Sequence, residues 1–233
     1  MTALRSALYL LFFCLWTGLI FVVALPLLLL PRRWTVRAMR FHAWGLRGAL
    51  EAVCGVRVEV RGRPPEGPAL IAAKHQCMFD TVAPFTFLAD PCFVMKKELL
   101  IIPFYGWYAR KGAMIVVDRE GHSRALRKLV ADTRDRMRHG RQLVIFPEGH
   151  RQDPGAAPDY KPGIAALYKD LDLPCIPVAT NSGVHWPAKG FIRRPGVIVF
   201  EFLDPIPTGL KRADFMRTLQ DRIETASTAL LGL

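Results

Sequence analysis

The sequence predicts an α/β fold in which a layered sheet is flanked by helices and preceded by two N-terminal helices. Beyond Gly55, short β-rich runs alternate with longer stretches of helical periodicity. Such alternation is typical of a layered sheet with helices packed on it. Before Gly55, an uncharged apolar segment is followed by an arginine-rich amphipathic one. The sequence has no internal repeat and no long linker, so we expect a single α/β domain after these segments.

The first segment has the length and composition of a membrane helix. No residue from 6 to 31 is charged, and about 20 apolar residues are enough for a helix to cross a bilayer. Pro26 permits a kink, so a helix that enters only one leaflet is an alternative. A cleaved signal peptide is another, but its apolar region usually runs about 7–15 residues and ends in small residues. This segment ends in four leucines and a proline, and we therefore expect a retained anchor.

The arginines around this segment predict its orientation. Arg5 stands alone before it, whereas five arginines follow between residues 32 and 47. Lysine and arginine collect on the cytoplasmic side of a membrane. We therefore expect the remainder of the chain on the cytoplasmic side.

Residues 35–50 have the pattern of an amphipathic helix. The basic side carries Arg37, Arg40 and Arg47 with Trp44, and the adjacent apolar side carries Met39, Ala43, Leu46 and Leu50. This pattern predicts a helix at the membrane interface, with the indole at headgroup depth. An ordinary helix packed on the domain is the alternative, because such stripes often mean core packing. We assign residues 1–54 to a membrane anchor with an interfacial helix, and residues 55–233 to the α/β domain.

The composition favours a membrane surface over nucleic acid as the partner. The formal charge is +12, yet 51% of the residues are hydrophobic and the mean hydropathy is positive. A protein that is basic and apolar together suits an anionic membrane. The five cysteines are odd in number and form no Cys-x-x-Cys pair. We therefore expect neither a zinc site nor a disulfide framework, which fits a reducing cytosol.

Periodicity places the elements of the domain. Six strands are expected, at residues 56–60, 69–73, 114–117, 143–146, 175–179 and 197–202. Helices are expected after a cap at Ser123, at residues 163–171 and at residues 214–231.

A histidine and an aspartate stand where one of these strands ends. His75 closely follows the second strand, and Asp80 comes five residues later. With His75 in a loop and Asp80 in the first turn of a helix, the carboxylate can orient the ring, which makes His75 a candidate general base. The turn at residues 148–151 follows another strand and carries a glycine and an arginine, which suit a phosphate. Because binding sites lie at the carboxyl ends of strands, both features are expected to face one crevice.

The chain lacks the Gly-x-Ser-x-Gly elbow that would supply a nucleophile beside this histidine. We therefore expect the substrate to supply it. A substrate hydroxyl, deprotonated by His75, would attack an acyl thioester and expel a thiol. Asp153 and Asp159 lack the spacing of metal ligands, and no metal is expected.

Four blocks in this order resemble the glycerolipid acyltransferase superfamily, and most closely the bacterial 1-acyl-sn-glycerol-3-phosphate acyltransferases. The resemblance covers about residues 70–180. The blocks are Lys74–Asp80, the stretch from Lys96 through Gly106 to Arg119, Phe146–Arg151, and Ile176–Val178.

The resemblance implies roles for residues of the first three blocks. His75 would be the base and Asp80 its partner. Lys96 would lie near the developing oxyanion. The remaining implied substrate-binding residues are Gly106, Arg119 for phosphate, Phe146, Glu148 as a brace of the turn, and Gly149 with Arg151 for glycerol phosphate. A layered sheet of the glycerol-3-phosphate acyltransferase type and the cytoplasmic face of a bacterial inner membrane are implied as well.

Two residues depart from the family pattern. Lys74 stands where asparagine or serine often precedes the histidine, and His150 stands where threonine is usual. Because His150 enlarges the phosphate turn, the acceptor head group stays open between lysophosphatidic acid and another lyso-lipid such as lyso-ornithine lipid.

The expected reaction is transfer of a fatty acyl group from acyl carrier protein or coenzyme A to the sn-2 hydroxyl of a lysophospholipid, with lysophosphatidic acid as the leading acceptor and phosphatidic acid as the product. These donors are co-substrates, and no cofactor and no nucleic acid are expected. Two other classes stay open: a membrane-anchored protein that only binds anionic lipid or nucleic acid, and a hydrolase that releases free fatty acid. Binding alone needs arginines but no proton acceptor, which favours the enzyme.

Overall fold

A computed structural model describes residues 1–118 and 122–232 of the chain. Within these residues, seven strands form one sheet. The strands are β1 Val56–Arg61, β2 Ala69–Ala73, β3 Pro91–Lys96, β4 Ile115–Val117, β5 Gln142–Ile145, β6 Cys175–Thr180 and β7 Gly196–Phe202. Their order across the sheet is β1-β7-β6-β2-β5-β3-β4.

Strand direction decides which strand ends meet. The strands β6, β2, β5, β3 and β4 are mutually parallel. Strand β7 pairs antiparallel with β6 and parallel with β1, so β1 and β7 run the opposite way. The carboxyl ends of the five parallel strands therefore lie along one edge of the sheet. Strand β2 is central and buried throughout, in agreement with its unbroken apolar sequence.

Helices cover both faces of the sheet. The α-helices of the described residues are α1 Thr2–Val23, α2 Arg32–Cys54, α3 Pro84–Phe87, α4 Tyr105–Lys111, α5 His122–Arg138, α6 Gly163–Leu171, α7 Ser182–His185 and α8 Arg212–Ala229. Apolar side chains of α1 to α4 share a core with one face of the sheet. Side chains of α5, α6 and α8 share a second core with the other face.

The predicted α/β layering is confirmed, with one strand added. All six predicted strands and the helices predicted at residues 35–50, 163–171 and 214–231 are present. The added strand, β3, begins with a proline and contains Cys92 and Met95, which give little signal for a strand. The predicted cap at Ser123 and the predicted phosphate ligand Arg119 lie outside the described residues and side chains.

The two N-terminal helices form an antiparallel hairpin. Trp16 on α1 donates to the carbonyl of His42 on α2 at 3.2 Å, and Gly45 leaves room for the indole, since a Cβ there would lie 2.5 Å from it. Helix α2 ends at Cys54, and the next residue, Gly55, adopts the left-handed conformation that glycine favours. Leu46 and Leu50 of α2 are fully buried, so this side of α2 packs on the domain, as the alternative interpretation held.

The other side of the hairpin is apolar and exposed. Helix α1 is 22 residues long, and by length and composition it could cross a membrane. Its exposed residues recur every three or four positions and form an unbroken apolar stripe: Leu4, Leu8, Leu11, Leu15, Leu19 and Val22. Phe41 and Trp44 on α2 are also exposed, at 61% and 50%.

Both ends of α1 are attached to the domain. Near its start, Ser6 accepts a hydrogen bond from the Arg193 amide at 2.8 Å, and near its end the Phe21 carbonyl accepts one from Tyr108 of α4 at 2.9 Å. Between them, the ring of Tyr9 meets Trp186 edge-on at 5.6 Å. Helix α1 therefore lies along the domain and does not project away from it.

Candidate active site

The loop after β2 turns back on itself around one carboxylate. The Oδ2 atom of Asp80 accepts three hydrogen bonds: from Nδ1 of His75 at 3.0 Å, from the Gln76 amide at 2.7 Å and from the Cys77 amide at 2.8 Å. Asp80 lies in a 3-10 helix, Met78–Thr81, and is 1% exposed. The predicted contact between His75 and Asp80 is therefore present, and two main-chain amides fix its geometry.

This contact determines which nitrogen of His75 carries the proton. A carboxylate accepts hydrogen bonds only, so Nδ1 must donate to Asp80, and Nε2 is left with a lone pair. The imidazole stacks on Phe146 with 4.0 Å between ring centroids, and its side chain keeps 13% of its surface exposed. A ring held on one face and at one nitrogen, with the other nitrogen open to accept a proton, has the geometry of a general base.

The turn after β5 is attached to the main chain of His75 on both sides. Glu148 accepts a hydrogen bond from the His75 amide at 3.0 Å through Oε2, and the Gln152 amide donates to the His75 carbonyl at 2.8 Å. Gly149 makes the bend between them possible with a φ of 71°. These two hydrogen bonds place the turn beside His75, which agrees with the prediction that both face one crevice.

Glu148 is buried, with no exposed surface. Burial raises the pKa of this carboxyl, and the ammonium of Lys74, which lies 2.7 Å from Oε1, opposes that rise. The carboxylate contacts the protein rather than the crevice, which fits a brace of the turn. Lys74 is buried too and also contacts Glu224 on α8. The sequence analysis missed Glu224, because no local pattern indicates a partner 150 positions away.

The remaining predicted residues are less confined. His150 and Arg151 lie at the open side of the turn, where Arg151 is exposed, and Nε2 of His150 lies 3.0 Å from the side-chain amide nitrogen of Gln152. Lys96 is exposed where β3 ends, at the same edge of the sheet as His75. An ion pair of 2.7 Å between Lys97 and Asp118 joins the ends of β3 and β4 there.

Gly106 is buried within α4, and its neighbours explain why glycine stands there. A Cβ atom at this position would lie 2.1 Å from the carbonyl oxygen of Leu100. The structure thus gives Gly106 a packing role, and its implied part in substrate binding stays a prediction.

We expect Gly106→Ala to lower the free energy of unfolding by about 1–3 kcal/mol, because α4 must move to admit a methyl group. Thermal unfolding in detergent measures this change. Gly48→Ala is the matched control, since a Cβ there would meet no atom within 4 Å and alanine favours the helix by about 1 kcal/mol. Equal melting temperatures for the two variants would contradict the assigned contact.

A narrow apolar pocket adjoins the loop after β2, and the sequence analysis did not locate it. Asp80 and Phe146 line it, together with Leu88, Phe87, Val144, Phe200 and Phe202. These side chains come from β5, β7 and the segment after Asp80, and only the fold brings them together.

The Acyltransferase family profile matches residues 56–181. The 1-acyl-sn-glycerol-3-phosphate acyltransferase of Pseudomonas aeruginosa is 36% identical over 161 residues, which cover 68% of this chain and 61% of that protein. The human 1-acyl-sn-glycerol-3-phosphate acyltransferase beta is 30% identical over 187 residues, which cover 77% and 66%. The chain thus spans less than two thirds of the length of either relative.

A solved structure shares the whole fold. The 1-acyl-sn-glycerophosphate acyltransferase PlsC from Thermotoga maritima superposes with a TM-score of 0.82, covering 100% of this chain and 99% of that one at 20% identity. The resemblance drawn from the four sequence blocks is therefore confirmed by the family profile and by the fold. The chain belongs to the Acyltransferase family.

Proposed function

We propose that this protein transfers a fatty acyl group from a thioester to the sn-2 hydroxyl of 1-acyl-sn-glycerol-3-phosphate, which yields phosphatidic acid. The observation that carries the proposal is the open Nε2 of His75, fixed through Asp80 and placed beside the turn that contains Gly149 and Arg151. The names of the two relatives support the choice of acceptor.

His75 and Asp80 act as the base and its orienting partner. Nε2 of His75 takes the proton of the acceptor hydroxyl while the oxygen attacks the thioester carbonyl. The tetrahedral intermediate collapses, the carbon–sulfur bond breaks, and the imidazolium returns the proton to the departing thiolate. Asp80 stabilises the imidazolium between these steps. No acyl-enzyme forms on Cys77, because this thiol is fully buried and burial raises its pKa well above the usual value.

The other predicted residues bind substrates. Arg119, Gly149 and Arg151 hold the phosphate of the acceptor, Lys96 lies near the oxyanion, and the pocket beside Asp80 takes the start of an acyl chain. The donor is acyl carrier protein or coenzyme A. The basic surface favours the carrier protein, because opposite charge speeds the encounter with an acidic partner.

We assign residues 1–54 to membrane attachment and residues 55–233 to catalysis, on the cytoplasmic side of the bacterial inner membrane. Both ends of α1 contact the domain, which favours a helix that lies in one leaflet over one that crosses the bilayer. The apolar stripe of α1 and Trp44 of α2 then face lipid. A product with two acyl chains never has to leave the bilayer.

We expect the double substitution Leu11→Glu and Leu15→Glu to abolish most binding to vesicles, because it places two carboxylates in the middle of the exposed stripe. The cost of each carboxylate in lipid is at most about 2.5–3.5 kcal/mol, the value for aspartate at the centre of a helix that crosses the bilayer. Flotation with vesicles that contain anionic lipid measures the bound fraction. Leu126→Glu on α5 is the control, because Leu126 is also an exposed leucine and lies on a helix of the opposite face. Equal flotation of the two variants would contradict the assigned surface.

The decisive experiment measures acyl transfer by the purified protein in detergent. Labelled acyl carrier protein is supplied as donor, with lysophosphatidic acid and lyso-ornithine lipid as separate acceptors. Phosphatidic acid as the main product supports the proposal. Product formed with lyso-ornithine lipid alone would keep the reaction and change the acceptor, for which the bulk of His150 in the turn gives a reason. Free fatty acid without any acylated lipid would instead indicate a hydrolase.

A further inference from the structure

Lys74 directly precedes the proposed base and is unusually buried for a lysine. Its side chain is 1% exposed. Its Nζ atom lies 2.7 Å from Oε1 of Glu148 and 2.8 Å from both carboxylate oxygens of Glu224. The hydroxyl of Tyr160 donates to the same Glu224 at 2.8 Å. Burying so many polar groups is costly unless each charge is matched, so the cluster calls for an explanation.

One carboxylate of this cluster, that of Glu148, also contacts His75. The carboxylate of Glu148 faces Lys74 with Oε1, and with Oε2 it accepts the hydrogen bond of the His75 amide. Lys74 is therefore linked through one carboxylate to the main chain that carries the imidazole. The ammonium itself is too deeply buried to bind the phosphate of a substrate.

We propose that Lys74 is a positioning residue: its charge holds Glu148 in place against the His75 amide, so that the imidazole keeps its orientation toward Asp80 and the acceptor. The inference deepens the proposed function and rests on it. Because second-layer contacts fix the geometry of a reacting group, loss of one lowers the rate without removing the group itself.

The electrostatics of Glu148 support this role. Four groups surround its carboxylate: the ammonium of Lys74, the main-chain amide of His75, the carboxylate of Glu224 and, beyond it, the phenol of Tyr160. Burial raises the pKa of Glu148, Glu224 adds to the rise, and Lys74 opposes both. Without Lys74, Glu148 would keep its proton to a higher pH and would bind the His75 amide less strongly.

Lys74→Met in the full chain tests the inference, because methionine fills a similar space without charge. We expect kcat at neutral pH to fall by about 10- to 100-fold, the size of effect that a small misplacement produces. We expect the KM for lysophosphatidic acid to change little. The pH profile of kcat should gain a rise toward alkaline pH, as Glu148 loses its proton, that the unsubstituted protein lacks.

A double variant and a matched control separate positioning from stability. In Lys74→Met with Glu148→Gln, the amide oxygen still accepts from His75 and no buried charge is left unpaired there, so we expect most of kcat to return without the added pH dependence. Glu224→Gln is the control, because it leaves the pair of Lys74 and Glu148 intact. We expect its kcat to stay within about three-fold, because Glu148 keeps both the ammonium of Lys74 and the amide of His75, so that little transition-state stabilisation is lost.

Three outcomes would overturn the inference. They are an unchanged kcat in Lys74→Met, a fall in kcat that Glu148→Gln does not relieve, and an equal fall in Glu224→Gln. If Lys74→Met fails to fold, the double variant decides. A kcat as low as about 1% of normal there would show that a neutral glutamine at position 148 cannot position the base, and the inference would fail.

Failure of the proposed function would look different. If the unsubstituted protein acylates no lyso-lipid, the ring of His75 can still be followed by NMR through its Nδ1 proton. We expect the signal of this Nδ1 proton, which is hydrogen-bonded to Asp80, to weaken in Lys74→Met and to return in the double variant. An unchanged signal in Lys74→Met would overturn the positioning role whatever the reaction.

Discussion

Replacing His75 by alanine is expected to lower kcat for acyl transfer by about 10²- to 10⁴-fold, the usual contribution of a general base. The imidazole of His75, in the loop after β2, is hydrogen-bonded to the Asp80 carboxylate through Nδ1, and its Nε2 is open to accept a proton. Asp80 cannot replace it, because the carboxylate is buried and occupied by three N–H groups. Transfer from labelled acyl carrier protein, measured at saturating acceptor, gives the value.

His150 provides the matched comparison, because it lies in the turn that is bonded to the main chain of His75. Its ring contacts Gln152 rather than a carboxylate. We expect His150→Ala to raise or lower the KM for the acceptor while kcat changes by no more than about three-fold, as for a group that binds substrate and transition state alike. An equal collapse of kcat in both variants would contradict the division of roles between the two histidines.

The geometry around His75 is predictable from the sequence because it is local and follows a strand. Five positions separate His75 from Asp80, and one tight turn brings them together. The turn at Glu148 follows β5, and the sheet places β5 beside β2. Strand ends and short spacings can be read from the sequence, so both loops are predicted at one edge of the sheet. Only the structure shows that β5 lies directly beside β2.

Contacts between distant segments are not predictable in the same way. Lys74 is unusual for its position, but its partner Glu224 lies on α8, and no periodicity points to it. The sequence also could not show which side of α2 is buried, because an apolar stripe has the same pattern whether it contacts a membrane or a protein core. Leu50 proved to be core, whereas Trp44 is exposed.

Substitution of Asp80 should have the second largest effect on catalysis, and the three donors to its carboxylate decide how the asparagine variant behaves. Two of these donors are main-chain amides, of Gln76 and Cys77, and they cannot turn away. The amide oxygen of an asparagine must therefore face them, and it remains an acceptor for Nδ1 of His75. The variant keeps the imidazole in the correct tautomer but loses the negative charge that stabilises the imidazolium.

We therefore expect Asp80→Asn to fold and to lower kcat by about 10²-fold, with the KM for both substrates nearly unchanged. Asp80→Ala removes the acceptor as well. Three donors then lose their partner, at a cost of about 1–3 kcal/mol each when they stay buried. Its melting temperature and its kcat should both fall below those of Asp80→Asn. A kcat in Asp80→Asn equal to that of the unsubstituted enzyme would mean that transfer does not pass through a positively charged His75, and another proton acceptor would have to be sought.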